Sequence, residues 1–379
     1  MDSPIRVCYV LSHFHPRASG AERQALAQGR ELVRRGHSVR VVTRAVEGCP
    51  SDESLDGVMV HRWVRPIAMG PMFAISFVAG VVRALRRLRS EYDLIHTHQG
   101  LWESISCGMA RPWLRGAPTI IQPASSGYYG EAEEMARTKG FGILRRYALR
   151  NSVFVAISAD IERQWLALGV PEGKMVRLAS GVDTDRFHPG PIPSHLEATL
   201  PPRPRVVFTG RLHPQKNLDL LIDVWPEVVR AAGASLVLVG QGPERERLEG
   251  RVRELGLEER IRFAGAVEDP SDYLRSADVF ALPSVAEGMS NSLLEAMATA
   301  LPCLASEIGG NVDLLGEGAG RLIREGDRAA WTEALVETLA DPAQARKLGL
   351  AARERIDREY SLARVVDRYV DLYRTLLDR

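Results

Sequence analysis

The chain has 379 residues, 45% hydrophobic and 26% charged, which is ordinary globular composition and, at roughly 150 residues per domain, enough for two cores. No run reaches the roughly 18 to 20 apolar residues of a membrane span, and Met1-Asp2-Ser3-Pro4 lacks the charged and apolar regions of a secretion signal, so the expectation is a cytoplasmic protein. The net charge of +1 conceals an asymmetry: residues 1–190 carry 25 Lys and Arg against 18 Asp and Glu, and the remainder 24 against 30.

A basic first half suits an anionic ligand or the inner face of an anionic membrane, and is too dilute in charge for nucleic acid. The four cysteines, Cys8, Cys49, Cys107 and Cys303, form no C-x-x-C pair and are too few for a disulfide framework. Reduced thiols are expected.

In chain order, the apolar run Ile5 to Leu11 is followed by a loop, a helical pattern from Gly20 to Arg35 closed by Gly36, and a second strand run, Ser38 to Thr43. In the first loop, Ala18-Ser-Gly-Ala-Glu22, Gly20 reads equally as a simple chain turn or as a close approach to a phosphate. Phe73 to Arg89 sets apolar positions beside Arg83, Arg86, Arg87 and Arg89. Packing on the domain is the expected role of that helix, with contact to an anionic membrane as the rival. Short apolar runs at 93–96, 118–121 and 153–157 have the character of buried parallel strands. His96 and His98 would share one face of a strand, but no third ligand joins them in sequence, so acceptor contact or a capped strand end is expected rather than a metal.

Composition changes at Phe187-His-Pro-Gly-Pro-Ile-Pro and again at Pro201-Pro-Arg-Pro204, which predicts a linker there, between domains at 1–190 and 200–360. The opening β-loop-α-β pattern then recurs: strand 205–209, loop 210–216, helix 217–232, strand 235–239 and the turn Gly240-Gln-Gly-Pro243. Further strands are expected at 260–263, 279–282 and 302–305, with a helix beginning near Asn291. The result is an α/β chain of two similar parallel-sheet domains facing across a cleft. The amphipathic segment 362–377 belongs to neither by pattern alone.

Two segments of the second half carry the chemistry. In Gly210-Arg-Leu-His-Pro-Gln-Lys-Asn217, Arg211 offers a planar fork of donors and Lys216 a point charge where a helix begins, a place that disfavours cations unless an anion lies nearby. In Ala286-Glu-Gly-Met-Ser-Asn-Ser-Leu-Leu-Glu295, a strand leads through Gly288 to the amides of Ser290, Asn291 and Ser292, a second phosphate cradle. Glu287 and Glu295 are eight residues apart, roughly 12 Å or more along a helix, so they cannot be a close catalytic pair and should touch different parts of one long ligand. Ser292-Leu-Leu-Glu295 also matches a capping box, which leaves Glu295 evenly divided between ligand and helix start.

These features together resemble glycosyltransferase family 4, retaining and metal-independent enzymes of the two-Rossmann-domain fold called GT-B. The likeness runs nearly end to end, through Ser19-Gly-Ala-Glu22, Ser180-Gly-Val-Asp-Thr-Asp-Arg-Phe187, Gly210-Arg211 with Lys216-Asn217, Val239-Gly-Gln-Gly-Pro243 and the Glu-x7-Glu pattern 287–295. The resemblance implies that Arg211 and Lys216 bind the donor diphosphate, Glu287 the donor sugar and Glu295 the ribose. It further implies that backbone at Gly288, Met289, Ser290, Asn291 and Ser292 holds phosphate and sugar, that Val267 lies near the base, and that Gly20, Gly210 and Gly240 border the donor. Segment 361–379 would pack back on the N-terminal domain. A family histidine after the strand at 118–121 is missing from Gln122-Pro-Ala-Ser-Ser-Gly127, so His98, Gln122, Ser125 and Ser126 stand as acceptor candidates.

The expected activity is transfer, with retention, of a hexosyl or N-acetylhexosaminyl group from a UDP-sugar to a small-molecule, glycan or lipid-linked acceptor, with Arg211, Lys216 and Glu287 as the catalytic set and no metal or cofactor. An NDP-sugar epimerase or a non-catalytic sugar-nucleotide binder would share the fold. A nicotinamide enzyme is excluded, since Leu11-Ser-His-Phe-His-Pro16 has no G-x-G-x-x-G and Gly316-Glu-Gly-Ala-Gly320 joins no strand to a helix.

Overall fold

A computed structural model describes residues 3–16, 20–127, 130–138 and 140–378. The chain divides into two compact units, residues 1–181 with 362–379, and residues 182–361.

The first unit holds one eight-stranded sheet: β1 (Arg6–Val10), β2 (Ser38–Arg44), β3 (Asp52–Leu55), β4 (Val58–Val64), β5 (Leu94–Thr97), β6 (Thr119–Ile121), β7 (Val153–Ala156) and β8 (Met175–Arg177). Its order is β3-β4-β2-β1-β5-β6-β7-β8, parallel throughout except for β3 against β4. The strands β5, β6 and β7 are buried along their whole length, as continuous apolar runs must be when helices cover both faces. The edge hairpin β3–β4 turns at Asp56-Gly57, both with positive φ (50° and 84°), the backbone that a two-residue hairpin loop needs.

The last helix, Leu362–Leu377, is part of this unit's core. Val365, Val366, Tyr369, Val370, Tyr373 and Leu376 recur at helical spacing and bury against Tyr9, Leu32 and Leu94. The His96 ring, pushed down to about 3 by burial and so neutral, donates from Nε2 to Gln122 Oε1 (2.9 Å) and accepts from Tyr373 Oη (2.7 Å). Tyr369 Oη donates to the same Gln122 oxygen at 2.8 Å. Buried polar groups of two strand ends are thereby satisfied by a helix about 250 residues later in the chain.

The second unit holds β9 (Arg205–Thr209), β10 (Ser235–Val239), β11 (Ile261–Gly265), β12 (Val279–Leu282), β13 (Cys303–Ser306) and β14 (Arg321–Ile323), in the all-parallel order β11-β10-β9-β12-β13-β14. In each sheet the strand order reverses beside the unit's first strand, between β1 and β5 and between β9 and β12. Ligands of doubly wound sheets bind outside the carboxyl ends of the strands at that reversal.

The Pro-rich stretch 187–204, expected from composition to be the linker, lies inside the second unit, and the expected boundary at 190–200 moves back to Gly181. The reason is bonding. Val182 N donates to Tyr360 O (2.9 Å), Arg353 Nη1 donates to Phe187 O (3.0 Å), and the Arg205 guanidinium forks onto Glu197 at 2.8 and 2.9 Å. Proline here stiffens a strap along the unit's surface. Gly181 itself is clasped by the Gln24 side chain, and a Cβ on it would lie 2.9 Å from Leu362 Cα, which explains a glycine at the boundary.

Candidate functional site

Gly210 and Gly240 end β9 and β10 with φ of 150° and 149°, and a Cβ on Gly240 would lie 1.8 Å from Gly210 O. Leu212 N donates to Gln241 O at 2.9 Å, so the two loops are joined backbone to backbone. Chain-to-chain approach therefore accounts for the glycine at 240. Beyond this junction His213 caps the short turn Pro214–Lys216, its Nδ1 accepting from Gln215 N at 3.3 Å. Burial, then the charges of Arg211 and Lys216, holds its imidazole below the usual histidine range. The residue went unnoticed in sequence, where a loop histidine has no periodic signal. Arg211 is exposed, and Asn217, at φ 48°, turns the chain into the helix Leu218–Ala232.

The second loop follows β12. Ser290 is the N-cap of the helix Asn291–Ala298, its Oγ accepting from Leu293 N at 3.4 Å. With the cap at 290 the capping-box partner position is 293, and Glu295 sits a further half-turn along, so the capping-box alternative for Glu295 fails. Glu295 is buried, as is every residue from Ala286 to Ser290. Gly310 presses on this loop, where a Cβ would lie 2.2 Å from Gly288 O. Val267 lies half-buried just past β11.

Gln215 ties the two loops together: its carbonyl accepts from Val285 N (2.9 Å) and its Nε2 donates to Ala286 O (2.7 Å). That tie sets Lys216 against Glu287. Lys216 Nζ bonds Glu287 Oε1, and Ser284 Oγ, fully buried, donates to the same oxygen at 2.7 Å. The side chains are 16% and 8% exposed, so the pair is only weakly screened by water. Sequence assigned the two residues to different parts of a ligand and gave no sign that they touch. Coming from the ends of β9 and β12, they meet at the topological reversal of the sheet.

In the first unit Gly20 opens the helix Gly20–Arg34, while Ala18 and Ser19 of its loop lie outside the described residues. At this sheet's reversal Ser12 N donates to Gln99 Oε1 (3.1 Å) and Ser12 Oγ bonds Glu103. Glu103 is fully buried and pushed up to about 7. Glu131, also raised by burial, accepts from the amides of Ala124 and Ser125 (both 2.9 Å). Neither carboxyl was singled out in sequence. Two acceptor candidates need correction. Gln122 has its oxygen occupied by His96 and Tyr369, and His98, 1% exposed, stacks on His96 (4.4 Å) and meets Tyr9 edge-on (4.5 Å). Gln122 is held in the core by its hydrogen-bonding neighbours and His98 by the rings of His96 and Tyr9, with neither ring nitrogen of His98 hydrogen-bonded among the described residues. Ser126 is buried and Ser125 half-buried. Among the described residues no group of three His, Cys, Asp or Glu is placed to hold a metal ion.

Residues 18–186 match the family model described as Glycosyltransferase Family 4, and residues 203–341 the model described as Glycosyl transferases group 1. A D-inositol 3-phosphate glycosyltransferase of Nocardia farcinica is 30% identical over 92% of this chain and 85% of its own. A GDP-mannose-dependent alpha-(1-6)-phosphatidylinositol monomannoside mannosyltransferase of Mycobacterium tuberculosis is 28% identical over 97% and 98%. Among solved structures, a sucrose-phosphate synthase of Thermosynechococcus elongatus superposes with a TM-score of 0.81 over 99% of both chains, at 24% identity, a likeness of fold. By identity, coverage and fold together, the chain belongs to glycosyltransferase family 4 and has the GT-B architecture of two parallel-sheet α/β domains.

Proposed function

We propose that this glycosyltransferase binds a nucleotide-diphosphate sugar on its second unit and transfers the sugar with retention to an acceptor hydroxyl. The observation that carries the reading is the meeting of Lys216 with Glu287 at the carboxyl end of β9 and β12. An ammonium has three donors, and Glu287 takes one of Lys216's; a diphosphate beside it would accept another. Arg211, exposed on the same loop, would fork onto the phosphates, and the amides from Gly288 to Ser292 would complete their shell. Glu287 would bond sugar hydroxyls, Glu295 the ribose, and backbone near Val267 the base.

As the C1–O bond to the diphosphate breaks, the electron pair and negative charge collect on the diphosphate, where Arg211, Lys216 and the amides would stabilise them without a metal. The acceptor oxygen would bond C1 from the departing face and pass its proton to a diphosphate oxygen, giving glycoside and free nucleoside diphosphate. Glu287 orients and does not attack.

Uridine diphosphate is proposed on family frequency, and the GDP-mannose named for the mycobacterial relative is its competitor. The acceptor is proposed to carry phosphate, on the basic character of residues 1–190, on the D-inositol 3-phosphate named for one relative and on the phosphatidylinositol monomannoside named for another. The test incubates the protein with UDP-, GDP- and ADP-sugars, with and without inositol phosphate, and reads thermal shift and nucleotide release. Stabilisation by one donor with acceptor-dependent release supports the proposal. No stabilisation by any donor overturns the donor site, and stabilisation without release would make the chain a binding protein.

A further inference from the structure

From Gly57 to Ser90 the chain runs 34 residues without an Asp or Glu, while it carries Arg62, Arg65, Arg83, Arg86, Arg87 and Arg89. The structure sorts this stretch. Helix Gly70–Arg87 turns Phe77, Val78, Val81, Ala84 and Leu85 inward, so its apolar face is spent on packing, as the sequence predicts. Its outward stripe, Met72, Ile75, Ala79, Arg83 and Arg86, follows the three-and-four spacing of one helix face and changes character along its length. The first half is apolar and the second cationic, over about 21 Å at 1.5 Å per residue.

The apolar end is extended by the segment leading into the helix. Ile67, Met69, Met72 and Ile75 are all exposed, Met69 at 69% and Ile75 at 61%. This tip is built rather than frayed: Ile67 N donates to Ser76 Oγ (2.8 Å), Ser76 Oγ donates to Met72 O (2.5 Å), and Met72 N donates to Met69 O (3.0 Å). At the cationic end Arg86 lies over Trp113, itself exposed, and Arg87 over Trp63, with 5.2 and 4.2 Å to the ring centres. Among the described residues no carboxylate pairs with Arg65, Arg83, Arg86 or Arg87.

We infer that this face is a docking surface for an anionic lipid bilayer, with the tip Ile67–Ile75 entering the boundary between headgroups and acyl chains and the arginines lying among the headgroup phosphates. A protein partner would want a ring of polar groups around such a patch, whereas a bilayer wants apolar side chains at the leading end, unpaired cations behind them and an indole at the level between. These three features occur here, the apolar tip leading and the indoles of Trp63 and Trp113 lying with the arginines behind it. The inward face is already filled, so the helix need not leave the unit to bind. The inference stands apart from the transfer chemistry, because lipid binding is read without donor or acceptor.

The test is flotation of the full chain with phosphatidylcholine vesicles made with and without phosphatidylglycerol. Binding is expected to the anionic vesicles only, and to weaken with salt. Arg83→Glu with Arg87→Glu should lower the partition at least about 20-fold, at roughly fivefold per arginine. Met69→Asp with Ile75→Asp should lower it at least about tenfold; the Asp at 69 falls on the helix N-cap, so folding is preserved, which an unchanged circular dichroism melt would show. No binding to anionic vesicles, or equal binding by both variants, overturns the inference. Light scattering that finds a dimer abolished by Met69→Asp with Ile75→Asp would assign the face to a second copy and also overturn it.

Discussion

Lys216 and Glu287, 71 residues apart in sequence, are hydrogen-bonded in the second unit through a carboxylate oxygen that also accepts from Ser284. The proposed function puts donor diphosphate and sugar beside this pair, and its stability and catalytic roles separate by double substitution. Lys216→Met leaves a buried carboxylate without its cation and should cost about 2 kcal/mol, less than a fully buried pair because Lys216 is partly exposed. Lys216→Met with Glu287→Gln should recover most of that loss in thermal denaturation, while nucleotide release stays reduced about 100-fold or more. Recovery of turnover with stability would remove both residues from the mechanism.

Ser284 holds the Glu287 carboxylate and would not itself touch donor. Ser284→Ala should lower kcat about tenfold through one lost hydrogen bond to a charged group, with a smaller change in the donor KM. Steady-state kinetics over a range of donor concentration reads this, and an unchanged kcat would make Ser284 structural only.

Glu103 titrates in the folded chain near 7, against an ordinary value of 4.5, because burial penalises its charged form. The folded state thus holds its proton more tightly than the unfolded state between those values, and stability from this group is full below about 4.5 and is lost as pH rises to about 7. Glu103→Gln keeps a hydrogen-bonding oxygen for Ser12 without that penalty. The melting temperature of Glu103→Gln minus that of the parent should grow from pH 5 to pH 7.5; a constant difference would place the carboxyl outside that range.

The last helix acts through specific polar contacts as well as bulk. Tyr369→Phe removes one donor to Gln122 and should cost about 1 kcal/mol, and Tyr373→Ala, which empties a fully buried ring site and leaves His96 Nδ1 without its partner, about 4 kcal/mol. Denaturant titration measures both. Equal small losses would mean that the helix rests on the core without being part of it.

Much of the architecture could be read before folding was considered. Continuous apolar runs such as Val279–Leu282 have only buried parallel strands as a natural home, and the bounds of Leu362–Leu377 follow from helical spacing. The hairpin β3–β4 had its signal in Asp56-Gly57 between two strand-like runs and was still overlooked, because charged Asp52 and Glu53 break the alternation. The linker was misplaced because proline reports local stiffness, not which contacts cross it. The cap on the helix at 291 was misplaced by two residues because Ser290 and Ser292 are chemically equivalent candidates and only backbone dihedrals choose between them.

The sequence by itself determined the two α/β halves, the cationic loop at 210–217 and the eight-residue spacing of Glu287 and Glu295, since each is a local pattern of side-chain type and period. Which of those groups touch was decided only by tertiary structure. Parallel strands β9 and β12 lie side by side although some 70 residues separate them, and it is this adjacency, tied by Gln215, that sets Lys216 on Glu287. The same holds for Gln122: its polarity suggested a ligand, and a helix from the far end of the chain, bringing Tyr369 onto Gln122 and Tyr373 onto its partner His96, claimed it for the core.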